Sequence, residues 1–148
     1  MKSLHLATPE DLAKLMPLVS GFHAEQGHEG EPELLQEALL PLLEGSPHGA
    51  VWLIGLRRAP VGHVMVSFGW SLELGGLSAH VQELFIRPAV RRRGMGGEAL
   101  HLLGQALKQG GVRELLLAAD PGDETLTRFW RRARFQPQPR SLLMRRVL

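Results

Sequence analysis

The chain has 148 residues, 44% of them hydrophobic and 22% charged, a length and composition typical of one globular domain with a buried core. It has no cysteine, which excludes disulfides, thiolate metal sites and a cysteine nucleophile and favours a cytoplasmic protein. No apolar run reaches the roughly 18 residues of a membrane span or the length of a signal peptide, so no membrane partner is expected.

Two helices and then three strands are predicted in the part of the chain that ends at Ile86. The first helix is predicted to begin at Pro9, with Thr8 as its N-cap residue, and its apolar residues recur at helical spacing. The strand candidates are short apolar runs between turn residues, and Gly75-Gly76 predicts a hairpin tip. In chain order these elements are helices from Pro9 to about His23 and from Glu33 to Leu43, and strands over 51–56, 61–68 and 80–86.

After Ile86 the pattern changes to helix, strand, helix, strand. Leucines at helical spacing form one face of the next helix, which ends at Gly110-Gly111. The apolar run that follows is typical of a strand buried on both faces. The predicted elements are a helix over 98–109, a strand over 114–119, a helix over 125–134 and a last strand over 141–147. No repeat or long linker interrupts the pattern, so residues 1–148 are expected to form one domain.

The segment Arg91-Arg92-Arg93-Gly94-Met95-Gly96-Gly97 lies between a predicted strand and a predicted helix. Glycines let a ligand approach the backbone, and a helix N-terminus presents free N–H groups and the positive end of the helix dipole. The arginines can add charge-assisted hydrogen bonds. The segment therefore predicts a site for a phosphate-bearing ligand, and the alternative is a glycine-rich turn beside a solvated charge run.

Two common phosphate motifs fit this segment poorly. A P-loop is excluded because no Gly-Lys-Ser/Thr follows the glycines. Gly94 to Ala99 satisfies the permissive Gly-x-Gly-x-x-Gly/Ala dinucleotide fingerprint, but in a dinucleotide fold the glycines directly follow the first strand. Here three predicted strands precede them.

Arg91-x-x-Gly94-x-Gly96 resembles the Gln/Arg-x-x-Gly-x-Gly/Ala acetyl-CoA signature of the GNAT family of N-acetyltransferases. The strand from Glu83 to Pro88 and the Phe129 to Phe135 segment are similar to that family's preceding strand and its Phe-Tyr-x-x-x-Gly-Phe segment, and the element order agrees over residues 4–148. The resemblance implies an α/β fold, with an open, mostly antiparallel mixed sheet of about six to seven strands. Helices would cover both faces, and a V-shaped split would mark the cofactor site.

The resemblance also implies acetyl-CoA as the cofactor. Main-chain amides of the glycine loop would bind its pyrophosphate, and main-chain groups of the preceding strand would pair with its pantetheine arm in place of the 114–119 strand. Trp130 is expected to pack beside the same arm. The other positions implied for cofactor binding are Phe85, Ile86, Arg91, Arg92, Arg93, Gly94, Met95, Gly96 and Gly97.

Glu83 is the candidate general base for acylation of an amine. It lies between Val81 and Phe85 in a hydrophobic strand, where burial would raise the pKa of its carboxyl group. It also resembles a general-base glutamate that some family members have at this strand position. The alternative is a glutamate at a strand bulge, hydrogen-bonded to backbone or water.

The acceptor site is expected to be walled by the first two helices and the hairpin, and the polar mixture of their side chains suggests a cationic amine. The histidines there lack the His-Glu-x-x-His spacing of a zinc site, so no metal is expected. The expected lining residues are Phe22, His23, Glu25, His28, Trp70 and Glu73.

Trp130 is the clearest departure from the family pattern. It stands where the family segment commonly has a tyrosine, and the chain contains no tyrosine at all. An indole N–H donates a hydrogen bond but is not a useful acid. No side chain is therefore expected to protonate the departing CoA thiolate.

The expected function is transfer of an acetyl group from acetyl-CoA to a primary amine of a small molecule or peptide in a direct ternary complex. One alternative is a non-catalytic acyl-CoA-binding domain. Another is an arginine-rich nucleic-acid binder, which is disfavoured because stacking aromatics do not alternate with the arginines. The apolar C-terminal strand is consistent with a homodimer.

Overall fold

The computed structural model describes residues 3–28 and 30–148. These residues form one five-stranded sheet with the strands in the order of the sequence, together with four α-helices and two short 3-10 turns. The elements are β1 (Leu4–Leu6), α1 (Leu12–Glu25), α2 (Pro32–Leu43), β2 (Gly49–Leu56), β3 (Ala59–Ser71), β4 (Gly76–Ile86), α3 (Met95–Gln109), β5 (Val112–Leu116) and α4 (Glu124–Arg132), with 3-10 turns at Pro9–Asp11 and Pro88–Val90.

Helices cover both faces of the sheet because each helix buries one apolar stripe against it. Two clusters of buried side chains result, one on each face. On the first face α1 and α2 pack on β2 through Leu15, Val19, Leu39, Leu43, Val51 and Leu53. On the second face α3 packs on β3 and β4 through Leu100, Leu103, Leu107, Val64, Val66, Ala79 and Val81.

A β-bulge in β4 changes which face its side chains occupy. Val81 is paired with Val66 and Glu83 with Met65, so Gln82 is an extra residue in the register with β3. Cross-strand partners share a face. Val81 therefore faces α3 with Val66, whereas Glu83 faces α1 and α2 with Met65. In a regular strand residues 81 and 83 would share one face, and the bulge directs Glu83 to the other.

The sheet splits between β4 and β5, which are its only parallel pair among the described strands. Their pairing runs from Leu77 with Val112 to His80 with Leu116 and then stops. Residues Val81–Ile86 continue β4, but on the side where β5 pairs with the first part of β4 no described strand lies beside them. We call this stretch the open edge of β4.

A buried carboxylate fixes the start of α1. Asp11 is 2% exposed, accepts a hydrogen bond from the Thr8 amide at 2.9 Å, and pairs with Arg57 at 2.9 Å and Lys14 at 3.3 Å. Burial acts to raise the pKa of Asp11, but the Thr8 amide and the two cations outweigh it and hold that pKa below its ordinary value.

The predicted mixed α/β sheet, with helices on both faces and a split, is confirmed, but it has five strands rather than six to seven. The prediction missed β1, and the strand predicted over 141–147 is wrong. Residues 141–148 form no strand and their apolar side chains are exposed, because alternation of apolar residues makes a strand only where another strand supplies hydrogen bonds. The strand predicted over 114–119 is β5, which ends at Leu116 and is only half-buried.

None of the helices formed by the described residues is both long and apolar enough to cross a bilayer.

Candidate active site

The loop between β4 and α3 and the first turn of that helix have open space beside one glycine each. Arg92 and Gly94 have left-handed backbones, with φ of 64° and 77°, and α3 starts directly after them. A Cβ atom added to Gly94 or Gly97 would meet nothing within 4 Å. The first amides of α3, which have no partner within the helix, are therefore accessible to a ligand from this side.

Gly96 has a different role from its neighbours. A Cβ atom there would lie 3.1 Å from Cζ of Phe129. This glycine allows the first turn of α3 to pack against α4, so its lack of a side chain serves a contact within the protein.

The side chain of Arg91 points back towards α1. Its Nε donates to the Ile86 carbonyl at 2.7 Å, and one Nη donates to both carboxylate oxygens of Glu25 at 2.7 and 2.9 Å. Its guanidinium also lies 5.4 Å from the centre of the Phe85 ring. Arg91 therefore ties the end of α1 to the end of β4. Its side chain is exposed, as are those of Arg92 and Arg93.

Glu83 is held between two histidines. One carboxylate oxygen lies 2.7 Å from Nε2 of His23 on α1, and the other lies 2.9 Å from Nε2 of His63 on β3. The His63 side chain is fully buried, while those of Glu83 and His23 are 15% and 25% exposed. Phe85, two residues further along β4, packs against Gly21 of α1, where a Cβ atom would lie 2.8 Å from its Cζ. That close approach brings α1 and His23 near β4.

The pKa of Glu83 is lowered, which corrects the expectation of a raised value. Burial does act to raise it, but hydrogen bonds and charge from His63 and then His23 outweigh that effect. Glu83 is therefore ionised at neutral pH. Across the described residues, no group of three potential ligands has the geometry to hold a metal ion.

A cavity of about 150 Å³ lies between α1, α2 and the sheet, and Glu83, His23 and His63 all border it. Its other walls are aliphatic or thioether side chains. They are Val19, Leu35, Ala38, Leu39, Leu42, Val51 and Met65. The cavity thus combines one ionised carboxylate and two imidazoles with an apolar lining.

Comparison with known proteins adds to this geometry. The model of the acetyltransferase (GNAT) family matches residues 13–135. The chain belongs to the GNAT family of acetyltransferases. No curated protein matches it, whereas many solved structures do.

Three of these structures show how widely the GNAT fold is shared. Integron cassette protein HFX_CASS3, from the mobile metagenome of Cole Harbour Salt Marsh, is 30% identical, with a TM-score of 0.85 over 99% of this chain and 91% of that one. The aminoglycoside acetyltransferase meta-AAC0020 from an uncultured soil metagenomic sample, in complex with sisomicin, is 19% identical, with a TM-score of 0.79 over 98% and 95%. The ribosomal-protein-alanine N-acetyltransferase of Brucella melitensis biovar Abortus 2308 is 14% identical, with a TM-score of 0.77 over 97% and 99%.

The segment from Phe129 to Phe135 has a left-handed backbone at the position where the family pattern has a glycine. Arg134, which stands in place of the family glycine, has a left-handed backbone with φ of 72°. Trp130 packs between Phe129 and Phe135, at ring distances of 5.0 and 5.9 Å. Its Nε1 is buried and has no hydrogen-bond partner among the described residues. The correspondence of Trp130 with the family tyrosine stays a prediction.

The structure brings together only part of the predicted acceptor wall. The Phe22 ring lies 6.3 Å from the His63 ring, and His23 contacts Glu83. Glu25 pairs with Arg91 instead, and His28 is exposed beyond the end of α1.

Trp70 and Glu73 lie outside the cavity, which corrects the expected hairpin wall. Trp70 is 66% exposed and lies five positions along β3 from Met65, the residue paired with Glu83. At about 3.3 Å per residue this is roughly 16 Å. Glu73 is in the turn beyond it. The hairpin therefore leaves this side to α2.

Sequence reasoning missed His63, and although it expected the second helix to wall the acceptor site, it named none of the α2 residues that border the cavity. His63 is a lone polar residue within an apolar strand, and its position opposite Phe85 becomes clear only from the register with β4. Leu35, Leu39 and Leu42 have the spacing of core leucines, and nothing in the sequence separates those that border a cavity from those that fill a core.

Proposed function

We propose that this GNAT protein transfers the acetyl group of acetyl-CoA to a primary amine of a small molecule or peptide, in a direct ternary complex. The observation that carries the proposal is the position of Glu83. Its carboxylate borders the cavity, and its backbone belongs to the open edge of β4. An amine in the cavity and a donor along that edge would therefore meet beside one ionised carboxylate.

The residues around the loop fit acetyl-CoA, which the family generally uses. When bound, this cofactor supplies an acetyl group activated as a thioester. The open space at Gly94 and Gly97 and the amides of Met95, Gly96 and Gly97 suit the pyrophosphate, with Arg92 and Arg93 adding positive charge. The backbone N–H of Ile86 on the open edge suits an amide of an extended pantetheine arm. The Phe85 carbonyl instead faces Gly62 of β3, and the Ile86 carbonyl accepts from Arg91.

Glu83 accepts the proton that the amine loses. Its carboxylate is ionised at neutral pH and accepts a 2.7 Å hydrogen bond from Nε2 of His23, so this nitrogen already carries a proton. The Glu83 side chain is 15% exposed and passes the amine proton on to water. His63, held on the other oxygen, fixes the carboxylate in place. Phe22, packed against both histidines, excludes water from one side.

Trp130 offers packing to the pantetheine arm, whereas its buried N–H is not accessible to the cofactor. Since the indole is not an acid at useful pH, the thiolate would take its proton from water. Glu25, His28, Trp70 and Glu73 would act only on parts of an acceptor that extend outside the cavity. A cytoplasmic location and the lack of a nucleic-acid partner stay predictions.

Replacement of Glu83 by glutamine tests the proposal. We expect Glu83→Gln to lower thiol release from acetyl-CoA in the presence of an amine by roughly 100-fold or more, with acetyl-CoA affinity unchanged. Glu114→Gln on β5 is the matched control and should keep wild-type turnover. Wild-type turnover of Glu83→Gln at every pH would show that Glu83 is structural. Binding of acetyl-CoA without thiol release to any amine would favour a non-catalytic acyl-CoA-binding domain.

A further inference from the structure

The cavity beside Glu83 carries information about the acceptor, provided that the proposed acetyl transfer holds. An amine placed at Glu83 and His23 has its substituent directed into a space that both residues border. The rest of that space is walled by Val19, Val51 and Met65 from α1 and the sheet, and by α2. Beyond Glu83 and the two histidines, none of the described side chains that line this space is charged.

The size and lining of the cavity limit what it can hold. Its volume of about 150 Å³ equals that of an engineered apolar cavity in another protein that binds benzene, which has six carbon atoms. A second ammonium group placed against these leucines would lose part of its hydration without gaining a partner, which is costly. The sequence-based expectation of a cationic acceptor therefore does not suit this space.

We propose that the acceptor is a primary amine whose neighbouring group is uncharged and apolar, with up to about six carbons. The amine faces Glu83 and His23, and the apolar group lies against Leu35, Leu39 and Leu42. Burial of a methylene in the cavity stabilises the transition state of acetyl transfer relative to the free amine. Each methylene that enters the cavity should therefore raise kcat/KM roughly fourfold.

Hexylamine and cadaverine provide a matched pair for the test, because both are linear amines with the same number of non-hydrogen atoms. We expect the wild-type protein to acetylate hexylamine with a kcat/KM roughly 100-fold above that for cadaverine. Along the series ethylamine, butylamine and hexylamine, kcat/KM should rise by the same factor for each methylene.

Two neighbouring leucines of α2 allow a controlled change of the cavity. Leu35 borders it and is half-buried, whereas Leu34 is 60% exposed and does not border it. Leu35→Glu should lower the preference for hexylamine over cadaverine at least tenfold, because the new carboxylate can pair with the second ammonium. Leu34→Glu adds the same charge and should leave the preference unchanged. Ala38→Glu, at an exposed position of the cavity wall, provides a second variant should Leu35→Glu fail to fold.

The outcomes separate this inference from the proposed function. If cadaverine is acetylated as well as hexylamine, with turnover still dependent on Glu83, the inference is overturned and amine acetylation stands. An unchanged amine preference in folded Leu35→Glu and Ala38→Glu would also overturn it. If no amine releases thiol, both the proposed function and this inference fall.

Discussion

Asp11 shows how one buried carboxylate makes stability depend on pH. The unfolded chain takes up a proton on this residue at a higher pH than the folded chain does, so protonation in acid favours unfolding. We expect the contribution of Asp11 to be complete at neutral pH and to be lost as the pH falls below about 4. Urea unfolding at pH 7 and pH 3.5 should show a smaller loss of stability with acid for Asp11→Asn than for wild type.

The same Asp11→Asn variant should be less stable at neutral pH by about 1–3 kcal/mol, since Arg57 and Lys14 lose their ionic partner. Glu10→Gln is the control, because Glu10 is the exposed neighbour of Asp11 and should change neither value. A wild-type pH dependence in Asp11→Asn would mean that other carboxylates govern acid unfolding.

The arginines before α3 have separate roles that mutation can distinguish. Arg92 and Arg93 are exposed beside the open space at Gly94, whereas Arg91 is engaged by Glu25 and Ile86. We expect Arg92→Ala or Arg93→Ala to weaken CoA binding about fivefold in calorimetry, and added salt to weaken binding by wild type. Arg145→Ala, in the exposed C-terminal segment, should have no effect. Unchanged affinity in both variants together with no salt dependence would place the pyrophosphate elsewhere.

At the scale of the elements, the first turn of α3 contacts α4 through one glycine and faces open space through another. We expect Gly97→Val to weaken CoA binding at least tenfold with little change in Tm, because its side chain would enter space that a phosphate needs. Gly96→Val should instead lower Tm, because its side chain would press on Phe129 and overpacking costs about 1–3 kcal/mol. Calorimetry and thermal unfolding of both variants check this, and a reversed pattern would contradict the assignment of the two glycines.

The sequence predicted the elements whose pattern is strong and missed those set by the rest of the fold. The three longer helices and β2 to β4 were all predicted within a few residues, because periodicity and turn residues are local signals. β1 has only three residues and was missed, and the 141–147 strand was wrong since pairing is not a local property. The predicted glycine loop is a loop only as far as Gly94, since Met95, Gly96 and Gly97 form the first turn of α3. The His63 contact and the cavity depend on the bulge at Gln82, which the sequence analysis raised only as the alternative interpretation of Glu83.

At the scale of the whole molecule, the exposed C-terminal segment and the outer edge of β5 are both available for pairing. Leu142, Met144 and Val147 are each more than 70% exposed, and β5 is the last strand of the sheet. We expect the protein to form a homodimer in which this segment adds to the sheet of a second copy. Light scattering should give the mass of two chains for wild type and of one chain for a variant that ends at Arg140. A wild-type mass of one chain would contradict this expectation.

The bulge in β4 makes the candidate site depend on the number of residues in this strand as well as on their identity. Gln82 contributes one backbone unit, and its side chain only donates to the Ser67 hydroxyl on β3. A substitution such as Gln82→Ala should therefore be tolerated. Deletion of the same residue would restore regular alternation, so that either Glu83 would enter the apolar core beneath α3 or Val81 would leave it. Relatives that differ by a single insertion or deletion here would lose the site while keeping nearly every residue that forms it.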